Sequence, residues 1–110
     1  MDKAKKRRLV KEGWIVGDAK QFLGLTDEEV AYIELKLAFS KRLRERRVKE
    51  RLTQAQLARQ IKSSQSRVAK MEAGDPSVSI DLLIRSLIAL GTSKKELAKV
   101  ITASNLVKTT

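Results

Sequence analysis

Cysteine and histidine are both missing from this sequence, which also has a single proline and only four aromatic residues. Their absence excludes disulfides, thiol nucleophiles, imidazole acid–base chemistry, and metal sites built from thiolate or imidazole ligands. The acids, hydroxyls and lysines that are present do not recur at a catalytic spacing, and the glycines do not form a phosphate-binding loop. We therefore expect no catalytic residues, no cofactor and no metal, and hence a protein that is not an enzyme.

Long hydrophobic runs are missing as well. No apolar stretch approaches the roughly 18 residues that a membrane-spanning helix needs, and the basic N-terminus lacks the apolar segment of a signal peptide. A chain of 110 residues fits one small domain. The composition, dominated by Leu, Ile, Val, Ala, Lys, Arg and Glu, favours helices over strands. We therefore expect an all-α protein and, because the apolar segments of a membrane span and a signal peptide are missing, a cytoplasmic one.

Positive charge is what the sequence has in excess, with a formal net charge of +11. Two segments carry most of it, because residues 1–12 have a net charge of +4 and residues 40–51 a net charge of +5. Such an excess of Lys and Arg attracts phosphate-rich or anionic partners. Nucleic acid is the first partner to consider, with an anionic membrane surface and an acidic protein as weaker alternatives.

The first 25 residues form a basic arm followed by an apolar extension. Residues 1–12 have little to bury, so they are either a solvated tail or an arm that follows DNA phosphates. Residues 13–25 contain more apolar side chains than an idle linker needs: Trp14, Ile15, Val16, Phe22, Leu23 and Leu25. We expect this apolar extension to pack against the helix that follows.

A long first helix is predicted from Thr26, which forms a capping box with Glu29, to about Glu50. Ser40 offers a possible kink, which would divide this helix in two. The apolar residues fall on two lines, one with Val30, Ile33 and Leu37, the other with Tyr32, Leu35, Phe39 and Leu43. Because one face cannot bury both lines, either the apolar extension or a second copy of the chain is expected to cover one of them.

Capping patterns mark four later helices. The second helix begins after Thr53, and Lys62-Ser63 is the turn that follows it. The third helix is predicted over Gln65–Glu72 and ends at Gly74. The caps proposed for the later helices are Thr53, Ser64, Ser79 and Ser93. A domain is thus predicted over residues 26–103, and residues 104–110 are expected to fray.

The pattern Leu52-Thr-Gln-x-x-Leu-Ala, followed by Ser64-Gln-Ser-x-Val-x-x-Met-Glu-x-Gly74 and by Ser79-Ile-x-x-Leu and Leu90-Gly91, resembles a known family. It is similar to the helix-turn-helix proteins of the phage lambda repressor and Cro type, the XRE family, over residues 43–101. The resemblance implies a five-helix, lambda-repressor-like domain with its helix-turn-helix motif at residues 53–73. The second helix of the motif is then expected to lie in the major groove of double-stranded DNA.

The resemblance also implies roles for individual residues. Base-reading positions match Gln65, Ser66 and Lys70, with Arg67 placed to reach a base or a phosphate. Thr53 and Gln54 match the start of the first motif helix, which grips a phosphate. Ser64 is a further phosphate candidate at the next helix start, and charge alone adds four more: Arg44, Arg46, Arg51 and Lys62.

The resemblance also includes one structural pair and two departures from the family pattern. Arg47 and Glu72 match a pair that closes a structural ion pair in this family. Lys62 and Arg51 stand where the family commonly has glycine, the residue that tolerates a positive φ most cheaply. Both substitutions put the geometry of these turns in question, and both add positive charge on the side expected to face DNA.

Two functions remain open at this point. The first is a homodimeric repressor that reads a palindromic operator, with dimer surfaces on the 26–50 helix, on Leu82 and Ile88, or on residues 97–101. The second is an antitoxin of the host-inhibition-of-growth type, which neutralises a partner toxin through the arm or the long helix and represses its own operon. Either way we expect double-stranded DNA as a partner, and no membrane.

Overall fold

The computed structural model describes residues 23–104, and this part of the chain is all-helical. Its five helices are α1 (Asp27–Lys49), α2 (Gln54–Gln60), α3 (Gln65–Glu72), α4 (Ile80–Ala89) and α5 (Lys94–Ser104). The predicted five-helix, all-α fold with a long first helix is therefore confirmed. α1 passes through Ser40 without a break, so the long helix is one helix. The basic arm, the apolar residues from Trp14 to Phe22 and the end of the tail lie outside the described residues.

Side-chain caps fix where the helices begin. Thr26 Oγ1 accepts a hydrogen bond from the backbone N–H of Glu29, whose carboxylate accepts one from the N–H of Thr26 in return. α2 and α5 begin with the same reciprocal box, at Thr53 with Gln56 and at Ser93 with Glu96. Single caps by Ser64 and Ser79 begin α3 and α4. Each cap satisfies backbone donors that a helix start leaves unpaired, which is why these local patterns predicted the boundaries.

Four helix ends close with one backbone motif. At each end an N–H bonds the carbonyl five residues earlier, across a residue in the left-handed region: Arg51 (φ 60°), Lys62 (φ 56°), Gly74 (φ 73°) and Gly91 (φ 89°). This is the Schellman arrangement, which favours glycine at the left-handed position. At Arg51 and Lys62 a residue that has a Cβ takes that position, at a cost of about 1–2 kcal/mol. The turns therefore keep the geometry that glycine would allow.

The core joins α1 to the other helices. Seven side chains are almost fully buried in it: Phe39, Leu43, Leu57, Val68, Met71, Leu83 and Leu87. α1 packs against α3, α4 and α5, while α2 packs against α3. Of the two apolar lines on α1, the one with Phe39 and Leu43 enters this core. Its first member, Tyr32, stays 51% exposed, and the other line is only partly buried.

Candidate nucleic-acid interface

α3 has one face in the core and one face in solvent. Val68 and Met71 are fully buried, three residues apart on one side of the helix. Gln65, Ser66 and Lys70 are exposed, and so is Arg67 at the flank. All four predicted base-reading residues therefore lie on the accessible side of this helix.

The accessible face of α3 is unpaired. Within residues 23–104, the side chains of Gln65, Ser66, Arg67 and Lys70 make no hydrogen bond and no ion pair. Glutamine offers a donor and an acceptor that match the N6 and N7 edge of adenine, and Lys and Arg donate to O6 and N7 of guanine. An eight-residue helix that presents these groups has the chemistry needed to read base edges.

A groove of about 380 Å³ runs beside the exposed face of α3. One wall consists of Ser64, Ser66, Arg67 and Lys70, and the other consists of Ser77, Val78, Ser79 and Leu82. Ser77 and Ser79 were not among the residues predicted from the sequence to contact DNA. The local pattern marked Ser79 only as a helix cap, because the position of both serines beside α3 arises only when α4 packs against α1. The hydroxyl of Ser77 already donates to Asp75 Oδ1. That of Ser79 accepts from the N–H of Leu82 and keeps its proton for an anionic ligand such as a phosphate, with the two cations opposite.

The residues proposed to cap helices and bind phosphate keep a free donor. Thr53 Oγ1 accepts from the N–H of Gln56, and Ser64 Oγ accepts from the N–H of Arg67. In each case the hydroxyl proton is left to donate to a phosphate oxygen. Gln54 is more constrained, because its Nε2 donates to Glu72 Oε1 over 3.2 Å.

The four cations suggested by charge alone differ in their surroundings. Arg44, Arg51 and Lys62 are exposed, and their side chains have no ion pair within the described part of the chain. Arg46 points inward instead: its side chain is 16% exposed, pairs with Glu50 and Glu96, and donates from Nη2 to the carbonyl of Leu90. Because its side chain is mostly buried and both of its terminal Nη groups already have partners in the protein, we leave Arg46 out of the proposed phosphate contacts.

Arg47 and Glu72 lie together beneath the motif. The guanidinium donates to both carboxylate oxygens, and its Nη1 donates to the carbonyl of Leu52 over 2.8 Å. The hydrogen bonds to Glu72 raise the pKa of Arg47, against a smaller effect of burial. The pair therefore connects the end of α1, the residue before the motif and the end of α3.

Residues 23–104 contain no group of three or more acidic, His or Cys side chains arranged to hold a metal. No helix in the same range is long and apolar enough to cross a membrane.

Comparison with known proteins gives one family. The sequence model of a family described as a helix-turn-helix domain matches residues 38–100, more than half of the chain. This range contains all of α2, α3 and α4 and all seven of the buried core residues listed above, and it includes α1 only from Ala38 onward. No match was found among curated proteins or among solved structures.

Proposed function

Because this chain belongs to the helix-turn-helix domain family of DNA-binding proteins, we propose that it is a transcriptional regulator that reads a specific sequence of double-stranded DNA. α3 is the recognition helix and lies in the major groove, with α2 across the backbone. The observation that carries this proposal is the face of α3, where Gln65, Ser66, Arg67 and Lys70 are exposed and unpaired within residues 23–104.

Phosphate contacts surround the base-reading face in this proposal. Thr53, Gln54 and Ser64 donate from the two helix starts, and Arg44, Arg51 and Lys62 supply unpaired positive charge. Phosphate contacts hold the protein in register on the duplex and make the affinity depend on salt, with a slope of about −0.9 for each phosphate neutralised. The basic residues 1–12 fit the same role, as an arm that follows the backbone.

A homodimer on a palindromic operator follows from the small size of the interface. One recognition helix reads only a few base pairs, and pairing two of them about 34 Å apart gives both affinity and specificity. Large apolar side chains remain more than half exposed at Val48 and Ile88, and Ile101 is nearly so. Surfaces of this kind favour a protein partner over solvent. We propose repression as the outcome, through occupation of an operator.

An antitoxin is the second candidate function. It is favoured by the first two turns of α1, which carry the half-exposed Tyr32 and lie before the range of the family match. In that case this surface or the basic arm binds a toxin, while α3 represses the operon that encodes both. The test is to express a neighbouring gene with and without this protein. A toxic effect on growth that this protein relieves supports the antitoxin function, and a neighbouring gene without a toxic effect contradicts it.

Competition binding tests the role of α3. A duplex selected for tight binding is challenged with unrelated duplexes, using the Gln65→Ala, Lys70→Ala double variant and the natural protein. The proposal predicts that the variant loses its preference for the selected duplex while its circular dichroism remains helical. A matched control, Gln60→Ala with Lys99→Ala, removes one amide and one charge from exposed positions of α2 and α5 and keeps the preference. Equal preference in both variants would contradict the assignment.

A further inference from the structure

α5 is the helix that contributes least to the core. The seven side chains that are almost fully buried all lie on α1 to α4. Within residues 94–103 no side chain is buried, and α5 meets the core through the half-buried Leu97 and Val100. It packs chiefly against α1. The core is thus built by α1 to α4, and α5 covers it from one side.

A polar network around one arginine holds the start of α5. Arg46, on α1, donates from Nη2 to the carbonyl of Leu90 at the end of α4, over 3.2 Å. Its Nη1 lies 3.5 Å from Glu96 Oε2 in the first turn of α5, and Arg42 Nη2 lies at the same distance from that oxygen. The side chain of Glu96 is 32% exposed, so water and salt weaken these pairs. α5 is therefore attached to α1 by half-buried apolar contacts and by ion pairs of modest strength.

The turn between α4 and α5 has the features of a hinge. It consists of residues 90–93, and Gly91 within it has a φ of 89°. Thr92 is 5% exposed, yet its hydroxyl has no hydrogen-bond partner within residues 23–104. A buried hydroxyl without a partner costs free energy that is recovered when water reaches it. Opening at this turn therefore recovers part of the free energy that is lost when α5 leaves α1.

The surface proposed to bind DNA lies elsewhere in the fold. The residues proposed to contact bases or phosphates are on α1, α2, α3 and the turns that join them. α3 itself packs against α1 and α2. Movement of α5 therefore leaves the exposed face of α3 in place.

We propose that α5 is a hinged helix: it leaves α1 as one unit, by movement at residues 90–93, while α1 to α4 stay folded. This opening requires less free energy than global unfolding, as expected for a segment with few buried apolar contacts. It uncovers Leu97, Val100 and the side of α1 beneath them. The domain thus changes the apolar surface that it offers while the exposed face of α3 persists. The inference does not depend on the proposed function.

Hydrogen exchange of the full chain, followed by NMR at several urea concentrations, tests the proposal. The amides of Leu97 and Val100 should share one level of protection, about tenfold or more below that of Leu43 and Val68 in the core. Their protection should also fall as urea is added, because opening exposes surface. Protection that declines steadily toward residue 104 and does not respond to urea would show fraying of the helix end and would overturn the proposal.

Ile61→Val separates the opening of α5 from unfolding of the whole domain. Ile61 packs on the core at the end of α2, a helix that packs against α3. Loss of one methyl group there should speed exchange at Leu43 and Val68 about fivefold. The amides of Leu97 and Val100 should keep their rates, because α5 opens while α2 stays folded. Equal acceleration at all four amides would overturn the proposal.

Arg46→Met, with Arg85→Met as its control, tests how α5 is attached. Both substitutions remove one positive charge, but Arg85 is exposed on α4, where it pairs with Asp81. Arg46→Met should speed exchange at Leu97 and Val100 about tenfold, and core amides by the same factor, because docking of α5 stabilises the whole domain. Arg85→Met should leave these rates within about twofold. Unchanged exchange in Arg46→Met, or an Arg46→Met chain that does not fold, would overturn the proposal.

Discussion

Arg47 and Glu72 form a bidentate ion pair, in which Nε lies 2.6 Å from Oε2 and Nη2 lies 3.0 Å from Oε1. The two side chains are 15% and 4% exposed, so the pair is largely removed from water. Gln54 and the carbonyl of Leu52 complete the network. The contact joins the ends of α1 and α3 across the beginning of α2.

Glu72→Gln should destabilise the protein by about 3 kcal/mol, because it leaves the buried guanidinium of Arg47 without its counter-charge. Urea unfolding followed by circular dichroism measures the loss. Glu45→Gln is the matched control, since Glu45 is exposed and lies 3.9 Å from Arg42; it should change stability by less than about 1 kcal/mol. Equal losses of stability in Glu72→Gln and Glu45→Gln would contradict a structural role for the Arg47–Glu72 pair.

Lys62→Gly should stabilise the protein by about 1 kcal/mol, because glycine takes the positive φ of this turn without the strain of a Cβ. Lys62→Ala keeps the strain and removes the charge, so its stability should stay close to that of the natural protein. Both variants should bind DNA more weakly, with a salt dependence less steep by about one unit of slope. If both variants are more stable than the natural protein, or if the salt dependence of DNA affinity keeps its slope, the backbone and the charge do not have separate roles at this position.

Ser40→Ala should leave stability unchanged or raise it by about 1 kcal/mol. The Ser40 hydroxyl is buried and has no hydrogen-bond partner within residues 23–104. Alanine removes this unsatisfied group and has the higher helix propensity in the middle of α1. Thermal unfolding provides the measurement. A loss of more than about 1 kcal/mol would mean that the hydroxyl is satisfied in solution.

Glu96→Gln should change how stability depends on acid. The backbone N–H of Ser93 is the largest cause of a pKa of Glu96 below its ordinary 4.5, with Arg46 and Arg42 adding to it and burial opposing it. Because the folded-state pKa is the lower one, the carboxylate stabilises the protein above pH 4.5 and this contribution is lost as the pH falls through the folded-state value.

The unfolding midpoint, measured from neutral pH to well below 4.5, tests this dependence. Glu96→Gln should unfold at a lower temperature than the natural protein at neutral pH, and the difference should shrink in acid. Glu45→Gln provides the comparison for loss of an exposed carboxylate. A difference that stays constant with pH would assign the effect to hydrogen bonding alone.

The sequence predicted most of the fold because the relevant interactions are local. The boxes at Thr26, Thr53 and Ser93 each join residues three apart, so the pattern that predicts a helix start is also the structure that forms it. The exposed face of α3 followed from the same reasoning, since burial of Val68 and Met71 leaves Gln65 and Lys70 on the other side.

Contacts between distant residues could not be predicted in the same way. In the sequence Lys36 and Arg46 are two cations among many, yet one bonds the carbonyl of Pro76 and the other pairs with Glu96. A lysine or arginine becomes buried only when the packing of distant parts of the chain places an acceptor beside it. The position of Ser77 in the groove could not be predicted from the sequence for the same reason, because it depends on how α4 packs.

Selection of bound duplexes from a random DNA pool is the direct test of whether the exposed face of α3 reads DNA sequence. If α3 reads sequence, the natural protein should enrich one sequence, with two related half-sites about 10 base pairs apart if it acts as a dimer. The Gln65→Ala, Lys70→Ala variant should lose that enrichment. A pool that stays random with the natural protein, or the same enriched sequence with the variant, would contradict this role of α3.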